Sequence, residues 1–349
     1  MTPILRIISY CLTLLLVAGM FIGCERVSMI EPGHGDPGPM VVIAGQASLQ
    51  GLSIETLNWK KPVGVGLGAN WIIENVPDRL AIINSISHTL QLYESNGSFY
   101  QPSQAIDLGL QRNTNPYAAA VVSKGVAVTN LLANTVSIVD LDSARIVDEW
   151  PVGVAPEGIL AYRDTLYVIN TGYDFDNYSF NYGSVFKMDS DDGEILDYAS
   201  LGMNPQFGAI VGDELHIVCT GNYTTVDGEI WILDLHDLHL KDILAIGHSP
   251  GRIVVDYYSQ EGSTAWIAAG GWSNEGEIAG LILSYNTVTR EIHDPLFASL
   301  GVVDVAVDYT SGRLYAICRD AMKLDVFEGG ERIASYDLVD PPNAISIIY

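Results

Sequence analysis

Along much of the chain, apolar residues recur at every second position in short runs separated by Gly, Asn, Asp and Pro. The clearest stretch reads Val126-Ala127-Val128-Thr129-Asn130, then Asn134-Thr135-Val136-Ser137-Ile138-Val139-Asp140-Leu141. It continues as Val147-Asp148-Glu149-Trp150-Pro151-Val152-Gly153 and Ala155-Pro156-Glu157-Gly158. Period-two alternation with β-branched residues predicts strands, and the residues between them predict turns. One such unit is a four-stranded antiparallel meander.

The unit repeats. Aligned on the last residue of its second strand, it recurs at Ala44, Asn84, Asn130, Asn170, Cys219, Ala269 and Cys318, with spacings of 40, 46, 40, 49, 50 and 49 residues. We number blades one to six from Asn84 to Cys318 and call the Ala44 unit blade seven. A second column, Gly-x-x-Pro ahead of the first strand, appears as Gly153 with Pro156, Gly202 with Pro205 and Gly247 with Pro250. Pro116 and Pro342 keep the place without the Gly, and Gly301 keeps it without the Pro. Pro sets φ where the chain enters a strand, and its missing N–H costs little there. An Asn at a strand end is expected to cap its own turn in the left-handed region.

The two ends of the chain fit this count. Pro342-Asn343-Ala344-Ile345-Ser346-Ile347-Ile348-Tyr349 matches only a first strand, and Met40-Val41-Val42-Ile43-Ala44 matches a second. One blade built from both ends closes the ring and removes a free sheet edge. The expected fold is therefore all-β, a seven-bladed β-propeller of four-stranded antiparallel blades over residues 40–349. An open solenoid or a pair of sandwiches would also be strand-rich, but periods of 40 to 50 residues with four strands each suit a propeller blade.

Ahead of the repeats, Arg6 precedes an apolar run from Ile7 to Met20 that ends in Phe21-Ile22-Gly23-Cys24. The run is shorter than the ~20 residues a bilayer span needs and reads as a secretory signal over residues 1–23. A small residue directly before Cys24 resembles the lipobox of bacterial lipoproteins, although Phe21 stands where that family prefers Leu. The resemblance implies lipidation of Cys24; an ordinary signal cleaved elsewhere is the alternative. Residues 24–39, with Pro32, Gly33, Gly35, Pro37, Gly38 and Pro39, are too poor in apolar residues to fold and form a tether. By the same resemblance, the absence of Asp after Cys24 implies the outer membrane, on either its periplasmic or its exposed side.

Charge narrows the partners. The net charge is −25 and the pI about 4.3, so nucleic acid and anionic headgroups are repelled, and membrane contact is expected only through the anchor. Of four cysteines, Cys11 leaves with the signal and Cys24 takes the lipid. Cys219 and Cys318 fall in non-adjacent blades and are expected as buried thiols. A monomer is expected.

Val128-Thr129-Asn130, Tyr167-Val168-Ile169-Asn170 and Asn134-Thr135-Val136-Ser137-Ile138-Val139-Asp140 resemble the YVTN repeat of seven-bladed bacterial surface and periplasmic propellers. The resemblance is firm for blades two to four and fades in blades five and six; Ala44, Cys219, Ala269 and Cys318 depart from the terminal Asn. It implies the fold and an extracytoplasmic address but no single activity. Surface lipoproteins of this fold capture cobalamin for an outer-membrane transporter, so a corrinoid is one ligand the resemblance implies; no residue signature points to it.

The loop before strand one and the loop after strand two leave a blade on the same face, so a site is expected there. Around the channel mouth the first set supplies Trp71, Tyr117, Glu157, Phe207, Arg252 and Asp304; Arg319 comes from the second. Blade three's long loop carries Tyr173, Phe175, Tyr178, Phe180 and Tyr182, and blades four and five add Tyr223 and Trp272. Rings with amide neighbours suit flat organic ligands, glycans or a partner protein; the rings could instead pack on one another merely to order a long loop. Arg252 and Arg319 could hold a carboxylate or phosphate.

Catalytic and metal motifs are missing. Glu157 and Asp304 are the only acids in the pore columns, three blades apart. His236-x-x-His239 falls at a turn on the opposite face, and Asp189-Ser190-Asp191-Asp192-Gly193-Glu194 lacks calcium-loop spacing. No nucleophile elbow, P-loop, zinc or cofactor pattern occurs. The expectation is a non-enzymatic, outer-membrane-anchored protein that binds a small organic ligand or a partner receptor through its aromatic loop face. The alternatives are a metal-dependent lactonase-like hydrolase at the channel mouth and a structural or adhesive surface protein.

Overall fold

The computed structural model describes residues 37–73, 76, 79–109, 113–257, 263–270, 272–273, 276–277 and 280–349. The signal segment, Cys24 and the tether up to residue 36 lie outside the described residues. From residue 37 on, the described regular elements are strands.

They form seven four-stranded antiparallel sheets. Blade one comprises Ala69–Ile73, Arg79–Asn84, Thr89–Ser95 and Tyr100–Asp107; blade two Pro116–Val122, Gly125–Asn130, Thr135–Asp140 and Arg145–Pro151; blade three Pro156–Tyr162, Thr165–Asn170, Tyr182–Asp189 and Ile195–Met203. Blade four comprises Pro205–Val211, Glu214–Cys219, Glu229–Asp234 and Leu240–Ala245; blade five Pro250–Asp256, Thr264–Ala269, Gly280–Asn286 and Leu296–Ala298; blade six Val302–Asp308, Arg313–Cys318, Lys323–Glu328 and Glu331–Asp337. Blade seven joins the C-terminal strand Pro342–Ile348 to Met40–Gly45, Ser48–Ser53 and Val63–Gly64. The pairing runs Val41 with Ile347, Val42 with Ser346 and Ile43 with Ile345, which closes the ring as the terminal motifs predict.

First strands of successive blades lie side by side around the axis. The core sits between blades: seven apolar clusters each join one blade to the next, as when Val136, Ile138 and Trp150 of blade two meet Ile159, Val168 and Met188 of blade three. Second strands are therefore covered on both faces, and every residue of Val126–Asn130 is buried. Outermost strands face water on one side, and Arg145–Pro151 alternates between exposed and covered positions.

The two sequence columns touch. A Cβ on Gly153 would lie 2.6 Å from Asn170 Cγ, and one on Gly66 would lie 2.6 Å from Asn84 Cγ, so the Gly leaves room for the Asn three-strand corner. The Asn residues do not take the left-handed conformation expected of them. Asn84, Asn130 and Asn170 are buried and donate from Nδ2 to a hydroxyl on strand three: Thr89 (3.1 Å), Thr135 (3.0 Å) and Ser184 (3.3 Å). Each sits opposite that strand in the ladder, so the amide meets a hydroxyl directly. The positive φ falls instead on the residue ahead of strand one, at Gly68, Asn115, Ala155, Asn204 and Gly301. The carbonyls of these five accept from Ser85, Leu131, Thr171, Thr220 and Arg319 N–H, tying the end of strand two to the entry of strand one.

Just inside that entry every blade slips register. Pro156 pairs with Asn170 but Gly158 with Ile169, and Pro205 pairs with Cys219 but Phe207 with Val218; the other five blades carry the same shift. A bulge places two residues opposite one and re-aims a side chain. Cys219 and Cys318 are free buried thiols, as expected, and burial pushes both well above the usual thiol range.

Candidate functional site

The bulged entries converge on the channel axis. Arg252 of blade five reaches across so that its guanidinium carbon lies 4.4 Å from the Trp71 ring centre and 5.1 Å from that of Phe207. Trp71 and Phe207 stack at 6.2 Å, and Tyr117 stacks on Phe207 at 6.4 Å. Arg252 Nη1 stands 3.5 Å from Asp304 Oδ2, and Nη2 donates to the Asn70 carbonyl. Asn70 Nδ2 in turn donates to the Tyr117 carbonyl at 2.9 Å. Side chains from blades one, two, four, five and six thus form one plug at the channel mouth.

Two acids are buried beside it. Glu157 is 9 % exposed, and its Oε2 has no hydrogen-bond partner. Burial pushes its pKa up to about 8, although Arg252 and the Tyr117 hydroxyl pull the other way. Asp304 accepts from Val305 N–H (2.9 Å) and Ile345 N–H (3.1 Å); burial raises it to about 6 against the pull of Arg252. The sequence treats these acids as isolated, three blades apart. In the fold both are coupled to one guanidinium, because the bulges turn them toward the axis.

A cavity of about 160 Å³ begins under the plug and runs along the innermost strands to Tyr309 on the opposite face.

The aromatic loop forms a second feature. Tyr173 packs edge-on to Phe175 at 4.9 Å and against Phe180 at 5.1 Å, and Phe180 packs on Tyr223 at 5.2 Å. Four rings therefore run from blade three to blade four. The Tyr223 hydroxyl turns inward to Gln206 and Asn204; burial of the hydroxyl, and then the nearby Glu157 carboxyl, raise its pKa. Asp174 accepts from Asp176 N–H, Asn177 N–H and Asn177 Nδ2 and so orders the loop tip. Tyr178 and Tyr182 stay outside the ring chain, 80 % and 74 % exposed. Beside the loop an open cleft of about 430 Å³ lies between Leu132, Asn134 and Val154 on one side and Tyr173, Phe175 and Asn181 on the other.

The predicted residues thus divide into two groups. Tyr117, Phe207 and Arg252 belong to the plug, whereas Tyr173, Phe175, Phe180 and Tyr223 form the shelf. Arg319 is exposed and donates to the Pro342 carbonyl (3.3 Å) and Asn343 Oδ1 (2.9 Å). Trp272 joins a short hairpin, Trp272–Ser273 with Gly276–Glu277, through its backbone; its side chain lies outside the described residues. Among the described residues no group of three or more His, Cys, Asp or Glu could hold a metal; His236 stands 3.5 Å from Asp213 at an exposed turn. Trp71, Glu157 and Asp304, which the sequence already places around the channel mouth, and Asn70 beside Trp71 are further plug members, and only the fold shows that they meet. Their shared place at the second or third position of a first strand was the available signal.

No protein-family model matches the chain, and no curated protein matches it in sequence. Among solved structures it is similar to a periplasmic gluconolactonase of Pseudomonas aeruginosa, with TM-score 0.65 and 10 % identity over 89 % of this chain and 99 % of that one. It is similar to AztD of Citrobacter koseri (0.59, 11 %, 90 % and 98 %) and to Kuenenia stuttgartiensis hydrazine synthase (0.66, 14 %, 81 % and 91 %). These likenesses show the fold alone.

Proposed function

We propose that this chain is an extracytoplasmic capture protein of the YVTN-repeat kind, anchored by lipid at Cys24 to the outer membrane, that holds a flat organic ligand or a partner receptor on the loop face of blades two to four. The observation that carries the reading is the ring chain Phe175, Tyr173, Phe180 and Tyr223 along an open cleft. Tyr178 and Tyr182 stand free beside it. Aromatic residues give large contact area for few frozen torsions. A corrinoid is the narrowest ligand we propose.

The test is a thermal-shift and calorimetric screen of the full chain against corrinoids, haems, siderophores and sugars, since a ligand of the folded state stabilises by RT ln(1 + [L]/Kd). One tight stoichiometric ligand, lost in Phe175→Ala with Tyr178→Ala, supports capture; a tight ligand that the double variant binds unchanged overturns this choice of site. Cys24→Ala should release the chain from membranes.

A lactonase-like hydrolase is the second reading, favoured by one observation: Glu157, whose buried carboxyl is held protonated near neutrality at the mouth. Arg252 beside Glu157 and Asp304 opposes a cation there, so such a hydrolase would use Glu157 as a proton donor. Hydrolysis of gluconolactone that disappears in Glu157→Gln supports it, and an inert wild-type chain removes it.

A further inference from the structure

The cavity beneath the plug has a composition of its own. Its walls are aliphatic, including Ile72, Val254, Val305 and Ile347, and its inner end is the Arg252–Asp304 pair. Its far end reaches Tyr309, 43 % exposed on the face opposite the aromatic shelf. The volume of about 160 Å³ matches an engineered apolar cavity of about 150 Å³ that holds one benzene. A single six-membered ring is therefore the size class.

The inner end selects the polar group. Trp71 and Phe207 both lie against the guanidinium, and Nη2 is spent on the Asn70 carbonyl. Nη1 and Asp304 Oδ2 stand 3.5 Å apart, longer than a good N–H···O bond. A hydroxyl set beside the pair, bridging it from the cavity, donates to the carboxylate and accepts from the guanidinium. A ligand carboxylate would meet Asp304, and a ligand ammonium would meet Arg252; each would add like charge in a buried place.

We propose that this channel is a second binding site, entered from the face opposite the loops, for a neutral ring-sized molecule bearing one hydroxyl, a phenol or cyclic alcohol. It is independent of the shelf and of the capture reading.

The experiment uses phenol and 4-fluorophenol as probes on the full chain, with ¹⁹F NMR for affinity and nuclear Overhauser contacts from the ring to assigned methyl groups. The expected result is one saturable site with contacts to Ile72, Val305 and Ile347. Benzene, benzoate and benzylammonium should bind at least tenfold more weakly. Val254→Phe, which fills space at a half-buried wall position, should abolish binding while Phe175→Ala leaves it unchanged. Absence of saturable phenol binding overturns the proposal, as do equal affinity for benzene, contacts confined to shelf residues, or undiminished binding in a folded Val254→Phe protein. If that variant does not fold, the methyl contacts in the unaltered chain decide alone.

Discussion

Arg252 and Trp71 come from blades five and one, yet the guanidinium carbon lies 4.4 Å from the indole ring centre. The contact spans the channel, so this plug ties distant blades together at the mouth of the channel that their innermost strands line.

Removing the cation should expose the cost of that arrangement. Arg252→Ala leaves Asp304, only 7 % exposed at its side chain, without its partner, and breaking a buried pair from one side costs about 3 kcal/mol. Urea denaturation should show a loss of that order, with Arg252→Ala/Asp304→Asn losing less than the sum of the single changes.

Glu157 should make stability fall with rising pH. Its pKa is about 8 in the folded state against 4.5 for an unperturbed glutamate, so between these pH values the folded state binds more protons than the unfolded. Stability from this group is full below the unfolded pKa and is lost as pH climbs toward 8, at no more than about 1.4 kcal/mol per pH unit. Glu157→Gln should remove this downward slope in denaturation curves taken from pH 5 to pH 8.

His216 tests the opposite sign. It is fully buried between Tyr285 Oη (2.6 Å) and Glu214 Oε2 (3.1 Å), with Arg290 also on Glu214 (2.6 Å). Burial outweighs Glu214 and lowers its pKa from 6.5 to about 4. Stability from the neutral ring is full above 6.5 and is lost as pH falls toward 4; the His216 ring resonances should show no titration above pH 5.

Asp340 should lock the closing blade. It accepts from Ala47 N–H (2.5 Å), Ser48 N–H (3.2 Å), the Ser48 hydroxyl and Gln50 Nε2 (3.2 Å), joining the exit of blade six to the N-terminal strands. Asp340→Ala should cost roughly 1–3 kcal/mol and raise hydrogen exchange in Met40–Gly45 before other second strands.

The shelf tyrosines should separate binding from folding. Tyr178→Ala and Tyr182→Ala remove exposed rings, so the unfolding free energy should change by no more than an ordinary surface substitution does, about ±0.5 kcal/mol, while affinity for the captured ligand drops.

What the sequence determined by itself was everything carried by local pattern and period. The Asn84, Asn130 and Asn170 column and the Gly-x-x-Pro column recur because each blade repeats the same corner, where Gly153 makes room for Asn170. Counting the ends of the second strands from Ala44 to Cys318 yields seven blades, and the half-units at Met40 and Tyr349 yield the closure. The conformation of that corner was misread, since an Asn that tolerates positive φ and one that bonds a neighbouring strand look alike in one dimension. Only the tertiary structure decided the plug. Seven bulges turn residues that period two would send elsewhere, and the ring brings Trp71, Glu157, Phe207, Arg252 and Asp304 to one axis from positions far apart in the chain. No local preference encodes which of five blades a side chain will meet across a channel; the closure of the ring does.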